Sequence, residues 1–341
     1  MKTKTIPTLL LAALAGGVLL FGSDHQDVQA GSSTMETITV SSRPIESFRF
    51  GSGTTRFGQL EFLGGLVMRS SHPLFGALSS IRFRPDGRRF LAVMDSGHFV
   101  EGRIERDGQG RLSGVSTLKV TPMIDRSGRT GGAKRSMDSE GLAFTPEGVL
   151  VSFEGLHRVD LYPDPAVESA RPLRTVPILI PRGMLENNRG LETVAAAPAD
   201  SPLKGAAVVV AEESLDGQGN HPAAILDGPL KGRFSVRHRD RYLVTDGAFL
   251  PDGDLLLLER RFTVTDGLGF RIRRIDGRTL KPDAVVDGPV LIEANMSEQI
   301  DNMEGLDVVT GPDGDTRLFL ISDDNRSLLQ RSLMLEFRLL P

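Results

Sequence analysis

The amino-acid sequence predicts an all-β fold, and two features of its pattern support that prediction. Short apolar or alternating runs are separated by turns of Gly, Pro, Asp and Asn, as in IRFRPDGRRFLAVMD (81–95) and AFLPDGDLLLLERR (248–261). Each such run indicates a strand, a turn and a second strand, which pair as an antiparallel hairpin. No amphipathic run keeps a helical period for more than about two turns, so few helices are expected.

The hairpins repeat along the chain at a nearly constant interval. Related phrases begin at or near Leu78, Asp138, Asn188, Thr245 and Asn302, which lie about 50 to 60 residues apart. Repeats of ~40–50 residues with four strands each are typical of a β-propeller, and the longer interval indicates looped insertions. A β-sandwich, the main alternative, does not require repeated phrases at fixed spacing. We therefore predict a β-propeller with five or six four-stranded antiparallel blades.

The number of blades depends on where the first β segment of the domain pairs. Residues 57–68, FGQLEFLGGLVM, could form a sixth blade with C-terminal strands such as residues 334–339. In a five-bladed ring the same segment would instead close the last blade. The sequence leaves both arrangements open.

Composition excludes several classes of function. The chain has 341 residues, 39% of them hydrophobic, and a mean hydropathy of -0.11, as expected of a soluble globular protein. A net charge of -4 provides no basic field for nucleic acid, and the absence of Trp argues against base-stacking platforms. The absence of Cys excludes disulfides, thiol catalysis and thiolate metal sites. We therefore expect a monomer that takes a small-molecule substrate and does not bind nucleic acid.

The N-terminus has the pattern of a secretory signal peptide over residues 1–30. Lys2 and Lys4 form a basic start, residues 6–21 are mainly apolar, and residues 28–30 (VQA) offer small residues for cleavage. An uncleaved anchor is disfavoured because the apolar run is shorter than the ~20 residues of a membrane span. We therefore expect a periplasmic or secreted protein with no stable membrane span after signal cleavage.

The domain boundaries follow from a change in composition after this leader. Residues 31–52 are rich in Ser, Thr and Gly and are expected to be a flexible lead-in. From residue 53 the pattern of strands and turns continues to the C-terminus. Residues 53–341 are therefore expected to form one propeller domain.

An acidic residue ends the second strand of each predicted hairpin. These residues are Asp95, Glu154, Glu212, Glu259 and Asp323. A second set opens the first strands and comprises Glu140, Asp246 and Glu304, with Arg189 at that position in the third unit and Glu192 nearby. The start of strand one and the end of strand two lie at the same face of a propeller, so the acids are expected to ring one mouth of the channel.

A ring of carboxylates needs a compensating charge. Clustered carboxylates raise one another's pKa unless a cation, an arginine or backbone N–H groups offset the repulsion. Ca²⁺ is a hard cation that binds oxygen ligands, so calcium is the expected cofactor if the ring binds a metal. The candidate metal ligands are Glu140, Glu154, Glu192, Glu212, Asp246, Glu259, Glu304 and Asp323. The alternative is structural, since acids at blade starts can fix inner loops by accepting backbone hydrogen bonds.

Few other residues offer chemistry. His98 and His157 each follow an acidic residue by three positions, which makes them candidate general bases near the mouth. The sequence contains neither the HExxH of a zinc protease nor the GxSxG of a nucleophile elbow. These two enzyme classes are therefore not supported.

Several phrases together resemble one known family. DSEGLAF, NRGLETV, AEES, LLLLERRF, NMEGLDVV and ISDDN are similar to those of the phytase-like family, "esterase-like activity of phytase", of exported bacterial proteins. The resemblance extends from about Phe57 to the C-terminus. That family is similar to β-propeller phytases, which use several Ca²⁺ ions and acidic side chains to hydrolyse phosphomonoesters. The resemblance therefore implies a propeller and Ca²⁺-assisted hydrolysis of a phosphate ester or other ester.

Three functions remain open from the sequence. The leading hypothesis is a metal-dependent phosphoric ester hydrolase. Its candidate catalytic residues are Glu140, Glu304 and His98. Its candidates for binding the substrate phosphate are Arg189, Arg260 and Arg326. The alternatives are a non-catalytic propeller of the cell envelope that binds a ligand or partner, and a lactonase-like or sugar-oxidising propeller.

Overall fold

The computed structural model describes residues 34–130, 134–187 and 189–341. The predicted signal peptide, residues 1–30, lies outside the described residues. The regular structure is almost entirely antiparallel β, arranged as five sheets of four to six strands. The innermost strands of the five sheets contact one another in a closed ring. The predicted all-β propeller is therefore confirmed, with five blades.

The described residues contain 25 strands, numbered here in chain order. The strands before the first repeat are β1 (Glu36–Ile38), β2 (Ser41–Ile45), β3 (Arg56–Phe57) and β4 (Leu60–Arg69). The first blade is built on β5 (Leu78–Phe83), β6 (Arg89–Met94), β7 (His98–Arg106), β8 (Leu112–Val115) and β9 (Leu118–Pro122). The second blade comprises β10 (Ser139–Thr145), β11 (Gly148–Phe153), β12 (Arg158–Tyr162) and β13 (Arg174–Val176).

The remaining three blades follow in the same order. The third comprises β14 (Leu191–Ala196), β15 (Ala207–Ala211), β16 (His221–Ile225) and β17 (Gly232–Val236). The fourth comprises β18 (Leu243–Phe249), β19 (Leu255–Thr263), β20 (Gly267–Ile275) and β22 (Val290–Asn295), while β21 (Val285–Val286) pairs with β17. The fifth is built on β23 (Asn302–Thr310), β24 (Thr316–Asp323) and β25 (Ser332–Leu339). Helical structure in the described chain comprises α1 (Lys134–Met137) and the 3-10 turns Val167–Ser169, Arg182–Met184 and Gly277–Thr279.

The N-terminal strands close the ring. β4 pairs with β25 in the fifth sheet, where Met68 lies opposite Ser332. β2 pairs with the outer edge of β4, and β1 pairs with β9 at the outer edge of the first blade. Residues 57–68 therefore close the fifth blade and do not form a sixth.

Part of the segment expected to be flexible is ordered instead. β1 and β2 both fall within residues 31–52. Ile38 packs into the core between the first and fifth blades, and Ile45 and Phe48 pack between the fourth and fifth. The Ser- and Thr-rich composition does not predict this order. Three buried apolar side chains and pairing with a free sheet edge are enough to fix the segment.

A buried arginine crosses the channel below the mouth. Arg82 on β5 forms a two-pronged ion pair with Asp246 on β18, with both N···O distances at 2.9 Å. Its guanidinium also donates to the main-chain carbonyls of Val194, Gly247 and Leu306. These carbonyls belong to the third, fourth and fifth blades. One side chain of the first blade thus links four of the five blades.

Candidate metal centre at the channel mouth

Each inner hairpin carries a β-bulge at the same level of the propeller. In every blade the pairing between the first and second strands shifts near the start of the first strand. The residues at these shifts are Ser79, Glu140, Glu192, Thr245 and Glu304. A bulge leaves its extra residue unpaired in the ladder and re-aims the side chain. Three of the five blades therefore bring a glutamate to one level of the ring.

The second strands supply a matching set of side chains. The first pair on the mouth side of each bulge is Leu78–Met94, Ser139–Phe153, Leu191–Ala211, Val244–Glu259 and Met303–Ser322, in blade order. The second-strand residues that follow these pairs are Asp95, Glu154, Glu212, Arg260 and Asp323. The first, second, third and fifth blades thus present an acid at this position, whereas the fourth blade presents Arg260.

Two groups of three carboxylates meet at this level. One group is Asp138, Glu140 and Glu154, and the other is Glu154, Glu192 and Glu212. Within each group one oxygen per residue lies within 4.8 Å of the others. Glu154 belongs to both groups. Two cation-sized clusters therefore share one carboxylate, at the boundary between the second and third blades.

Glu154 is held in place by the main chain of the next blade. The N–H of Gly190 donates to Glu154 Oε1 over 2.5 Å. A Cβ on Gly190 would lie 2.3 Å from the ring of His157, so only glycine allows the main chain this close approach. The shared carboxylate is therefore oriented before any ligand binds.

The mouth carboxylates are hard to ionise together. Burial, and then the charges of Asp138 and Glu154, raise the pKa of Glu140 well above its usual value. Burial, and then Glu140 and Glu154, do the same for the pKa of Glu192. Burial raises the pKa of Glu154 and of Glu304 to about 7. A bound cation would relieve this cost, because it stabilises the ionised form of every carboxylate near it.

Arg260 neutralises only one side of the mouth. Its guanidinium lies 2.5 Å from Glu304 and 3.2 Å from Glu212, and it also donates to Asn302. Neither of the carboxylates Glu140 and Glu192 is in an ion pair within the described structure. Glu140 and Glu192, one in each carboxylate group, are therefore left without an arginine. Oxygen donors with uncompensated negative charge are the ligand set that Ca²⁺ prefers.

Asp246, a predicted metal ligand, lies away from these groups. It follows the bulge residue Thr245 and is turned into the channel, where Arg82 binds both of its oxygens. Ser80 Oγ and the N–H of Leu306 also donate to it. Its sequence phrase matches that of Glu140, but the bulge in the fourth blade places Thr245, not Asp246, at the Glu140 level. Asp246 therefore joins blades together.

Glu259, another predicted ligand, also faces elsewhere. Successive residues of a strand point to opposite faces, so Glu259 and Arg260 diverge. Glu259 is fully buried and receives hydrogen bonds from Arg271 Nε over 2.5 Å and from Arg273 Nε over 2.9 Å. The mouth position in this blade is held by the next residue. A shift of one residue in the pairing thus places an arginine at the mouth of this blade in place of a glutamate.

We expect Glu259→Gln to destabilise the fold and to have no effect on whether calcium binds at the mouth. The amide keeps one acceptor oxygen but loses the charge that two buried arginines face, at a cost of about 2 kcal/mol. Thermal unfolding and calcium titration check the two halves of this prediction. Glu212→Gln is the matched control and should show the reverse pattern. Weakened calcium binding in Glu259→Gln would show that Glu259 contributes to the metal centre.

The other predicted residues lie around the rim. His98 begins β7, where its Nδ1 lies 3.2 Å from Ser96 Oγ and its Nε2 has no hydrogen-bond partner among the described residues. Arg326 donates to the same Ser96 hydroxyl over 3.3 Å. Arg189 is exposed and pairs with Glu213. The roles assigned to these three residues from the sequence stay predictions.

Sequence reasoning missed Asp138 as a possible ligand and placed Arg189 at the Glu140 position. The register shows that Glu192 is the bulge residue of the third blade. The sequence shows an acid beside a Gly-Leu pair in both blades: Glu140 precedes its Gly-Leu pair, and Glu192 follows its own. The position that matches Glu140 in the third blade lies three residues after Arg189, so matching phrases do not give matching positions. Asp323 remains at the mouth, where burial and then Asp95 and Glu304 raise its pKa.

The fold and the site together define a class of protein: a five-bladed propeller whose channel mouth gathers carboxylates that could hold metal ions. The chain belongs to the phytase-like family, "esterase-like activity of phytase", whose family model matches residues 73–326. This range is about three quarters of the chain, and it confirms the resemblance inferred from the sequence. No curated protein gives a significant match. In the described residues no helix is long and apolar enough to cross a membrane.

Solved propellers give weak structural likenesses. The β-propeller domain of Cps50 (Swd1) from Myceliophteria thermophila has a TM-score of 0.36 and 13% identity, covering 73% of this chain and 64% of that chain. The RRP9 WD40 repeats give 0.42 and 9%, covering 83% and 99%. The PQQ-bound aldose sugar dehydrogenase of Streptomyces coelicolor gives 0.36 and 13%, covering 88% and 98%. Likenesses at these scores carry no conclusion about activity.

Proposed function

We propose that the protein is a calcium-dependent hydrolase of phosphate monoesters that works at the channel mouth. The observation that carries the proposal is the pair of carboxylate groups sharing Glu154, with pKa values raised in the absence of a cation. All candidate ligand atoms are oxygens, and the described chain places no thiolate near them. Such a donor set fits Ca²⁺.

When bound, the cation would supply Lewis acidity toward a phosphoryl oxygen of the substrate. Asp138, Glu140 and Glu154 would hold one ion, and Glu192 and Glu212 would hold a second with Glu154. The closeness of the two groups makes the shared carboxylate essential to both. Gly190 keeps that carboxylate in place through its N–H.

Proton transfer is assigned to Glu304. It lies outside both carboxylate groups, and its pKa of about 7 suits a group that takes and returns a proton near neutral pH. Glu304 takes a proton from the water whose oxygen bonds to phosphorus, the P–O bond to the alcohol breaks, and Glu304 returns the proton to the departing oxygen. Asn302 Nδ2 donates to Glu304 Oε1 over 2.8 Å and orients the carboxylate.

Arg260 is assigned to binding the phosphate. Its side chain is partly exposed and sits between Glu212 and Glu304, so it borders both the second carboxylate group and the proton acceptor. A guanidinium can bind two oxygens of a phosphate at once. Arg260 stands at the position where each of the other four blades presents an acid.

The activity is tested with p-nitrophenyl phosphate and phytate, each in calcium and in EDTA. Turnover that requires calcium and falls about 100-fold or more in Glu304→Gln, with calcium affinity retained, supports the proposal. Calcium that raises the melting temperature without any turnover indicates the alternative, a non-catalytic propeller that binds a ligand or partner. Absence of both effects rejects the calcium-dependent hydrolase.

Stability should depend on pH in a way that calcium reverses. The pKa of Glu154 rises from 4.5 to about 7 because of burial. The folded protein therefore keeps protons that the unfolded chain releases between about pH 4.5 and pH 7, so stability falls as the pH rises through this window. The buried ligands then need a cation most above pH 7.

Thermal melts in EDTA and in millimolar calcium, at about pH 5 and about pH 8, check this prediction. In EDTA we expect a lower melting temperature at the higher pH. The rise produced by calcium should be larger at the higher pH, since the ion then competes with fewer protons. Equal calcium shifts at both pH values would contradict the prediction.

We also propose that the protein acts in the periplasm or outside the cell as a monomer. The basic and apolar pattern of residues 1–30 supports export. Calcium sites of extracellular modules bind weakly, with dissociation constants of roughly 10⁻⁴ to 10⁻³ M. Cell fractionation of the full-length chain and sedimentation of the mature protein test these two statements.

A further inference from the structure

Exposed apolar side chains are concentrated on the mouth face of the propeller. The loops between the second and third strands lie at this face, as do the connections from one blade to the next, because strands two and four end there. Large apolar residues exposed in these loops, or at the strand end that leads into one, are Leu156, Leu215, Phe262, Val264, Met296, Leu328 and Leu329. Among the described residues, the connections on the opposite side expose two such residues, Leu173 and Val285. The exposed apolar residues are therefore mainly on the same face as the carboxylate groups.

The β19–β20 hairpin aligns part of this apolar surface with the mouth. β19 pairs regularly with β20 from Leu255 to Thr263, so alternate residues share one face. Arg260 and Phe262 therefore point the same way, about 7 Å apart along the strand. Val264 follows at the tip of the hairpin and is 98% exposed. An apolar wall thus begins directly beyond the guanidinium at the mouth.

The connection from the fourth to the fifth blade extends this wall. Met296 is 61% exposed, and its Cγ lies 3.3 Å from where a Cβ on Gly267 would be. The N–H of Phe50 donates to the carbonyl of Ser297 over 3.2 Å, which brings a second exposed aromatic ring to the same place. Apolar side chains gathered in this way on a soluble protein mark a binding surface.

The surface and the mouth together suit a ligand with two unlike ends. Arg260 and the carboxylate groups, once loaded with cations, would hold an anionic head. Phe262, Val264 and Met296 would cover an apolar tail that leaves the mouth along β19. A small polar ester would reach the first set and leave the second exposed to water. Charge complementarity and strand geometry therefore point to one kind of molecule.

We propose that the substrate is an amphiphilic phosphate ester whose apolar chain lies along the β19–β20 hairpin and the adjoining Met296 turn. This inference rests on the proposed hydrolase function and names its substrate class. The occupant is a single amphiphile, bound as a monomer. A lipid surface and a second copy of this chain would use the same apolar residues, and they are outcomes that the test separates.

The test is calcium-dependent binding of alkylphosphonates, which carry the same anionic head and cannot be hydrolysed. Calorimetry compares methyl-, butyl- and octylphosphonate below their micelle concentrations. We expect the dissociation constant to fall roughly twofold per methylene, or about 100-fold from the shortest to the longest, because the chain is partly removed from water. Octylphosphonate should also compete with the hydrolysis of p-nitrophenyl phosphate.

Paired variants locate the chain. Phe262→Ser combined with Val264→Ser should reduce the ratio of octyl- to methylphosphonate affinity by about tenfold. Leu173→Ser, on the opposite face, should leave that ratio unchanged. Both sets of positions are exposed, so neither should prevent folding. An equal effect of the two variants on the ratio would overturn the proposal.

The outcomes also separate this inference from the function it rests on. Calcium-dependent hydrolysis with no dependence of affinity on chain length overturns the amphiphile and leaves the hydrolase standing. Absence of both phosphonate binding and hydrolysis rejects both. Calcium-dependent sedimentation with phosphatidylcholine vesicles containing phosphatidic acid, without a chain-length effect for monomers, assigns the apolar surface to a membrane and overturns the proposal. A concentration-dependent dimer lost in Phe262→Ser does the same.

Discussion

Replacing Glu154 with Gln is expected to weaken the proposed calcium binding at both carboxylate groups at once. Glu154 contributes an oxygen to each group, so a single substitution removes one charged ligand from two candidate sites. Affinity should fall by about 100-fold, since calcium affinity depends on the number of charged ligands. Turnover that depends on calcium should fall to background. Calcium titration by calorimetry and phosphate release measure the two effects.

The same substitution should make the calcium-free protein more stable. Its amide keeps the acceptor oxygen for the N–H of Gly190 and removes one charge from a crowded, buried cluster. The melting temperature in EDTA at about pH 8 is therefore expected to rise. Opposite signs for stability and calcium affinity distinguish a ligand-binding carboxylate from a structural one.

Asp323→Asn is the matched control for Glu154→Gln. Asp323 is also an acid at the end of a second strand, and its pKa is also raised by burial. It lies outside both carboxylate groups, so its removal should weaken calcium binding far less than removal of Glu154. Equal losses in the two variants would show that calcium is held by the net charge of the mouth and not by the two groups.

The propeller was predictable from the sequence because its evidence is periodic. Turns such as PDG (85–87) and PDG (251–253) recur beside apolar runs, and the structure has hairpins at both. The blade count was not predictable, since it depends on the long-range pairing of β4 with β25. Contacts distant in sequence leave no local pattern to recognise.

The mouth was predictable as a region but not residue by residue. Its acids follow strands at a fixed level, and Glu154 and Glu212 lie where that rule puts them. The rule fails for Glu259, because pairing in the fourth blade moves the mouth position to Arg260. It also fails for Asp246, which follows the bulge. A shift of one residue reverses the direction of a side chain, and nothing in the local sequence reports it.

Replacing Arg82 with Leu is expected to destabilise the protein more than any other single change considered. The substitution leaves Asp246 fully buried with no ion-pair partner among the described residues. It also removes the donor to carbonyls of three other blades. Breaking a buried ion pair by removing one partner costs about 3–5 kcal/mol. For a domain of this size the melting temperature should fall by roughly 6–10 °C.

The control is Arg89→Leu, which removes an arginine from the same blade. Arg89 pairs with Asp86 at the surface, where its side chain is 66% exposed. Exposed pairs contribute about 0–1 kcal/mol, so this variant should melt within about 2 °C of the wild type. Similar losses in both variants would mean that Arg82 acts only as one more surface charge.

A second variant separates charge from shape at the channel centre. Burial raises the pKa of Asp246, and Arg82 opposes that rise. Adding Asp246→Asn to Arg82→Leu removes the unpaired charge, so the double variant should recover part of the lost stability. The stability that the double variant does not recover measures the cost of the carbonyls left without a hydrogen-bond donor.

Calcium binding decides whether Arg82 belongs to the fold or to the site. Asp246 contacts the side chains of Arg82 and Ser80 and the main-chain N–H groups of Gly247 and Leu306, and it is in neither carboxylate group. Folded Arg82→Leu should therefore bind calcium within about twofold of the wild type, at a temperature well below its melting point. A large loss of affinity in the folded variant would instead connect the channel centre to the mouth. In that case the arginine that joins four blades would also set the spacing of the carboxylates above it.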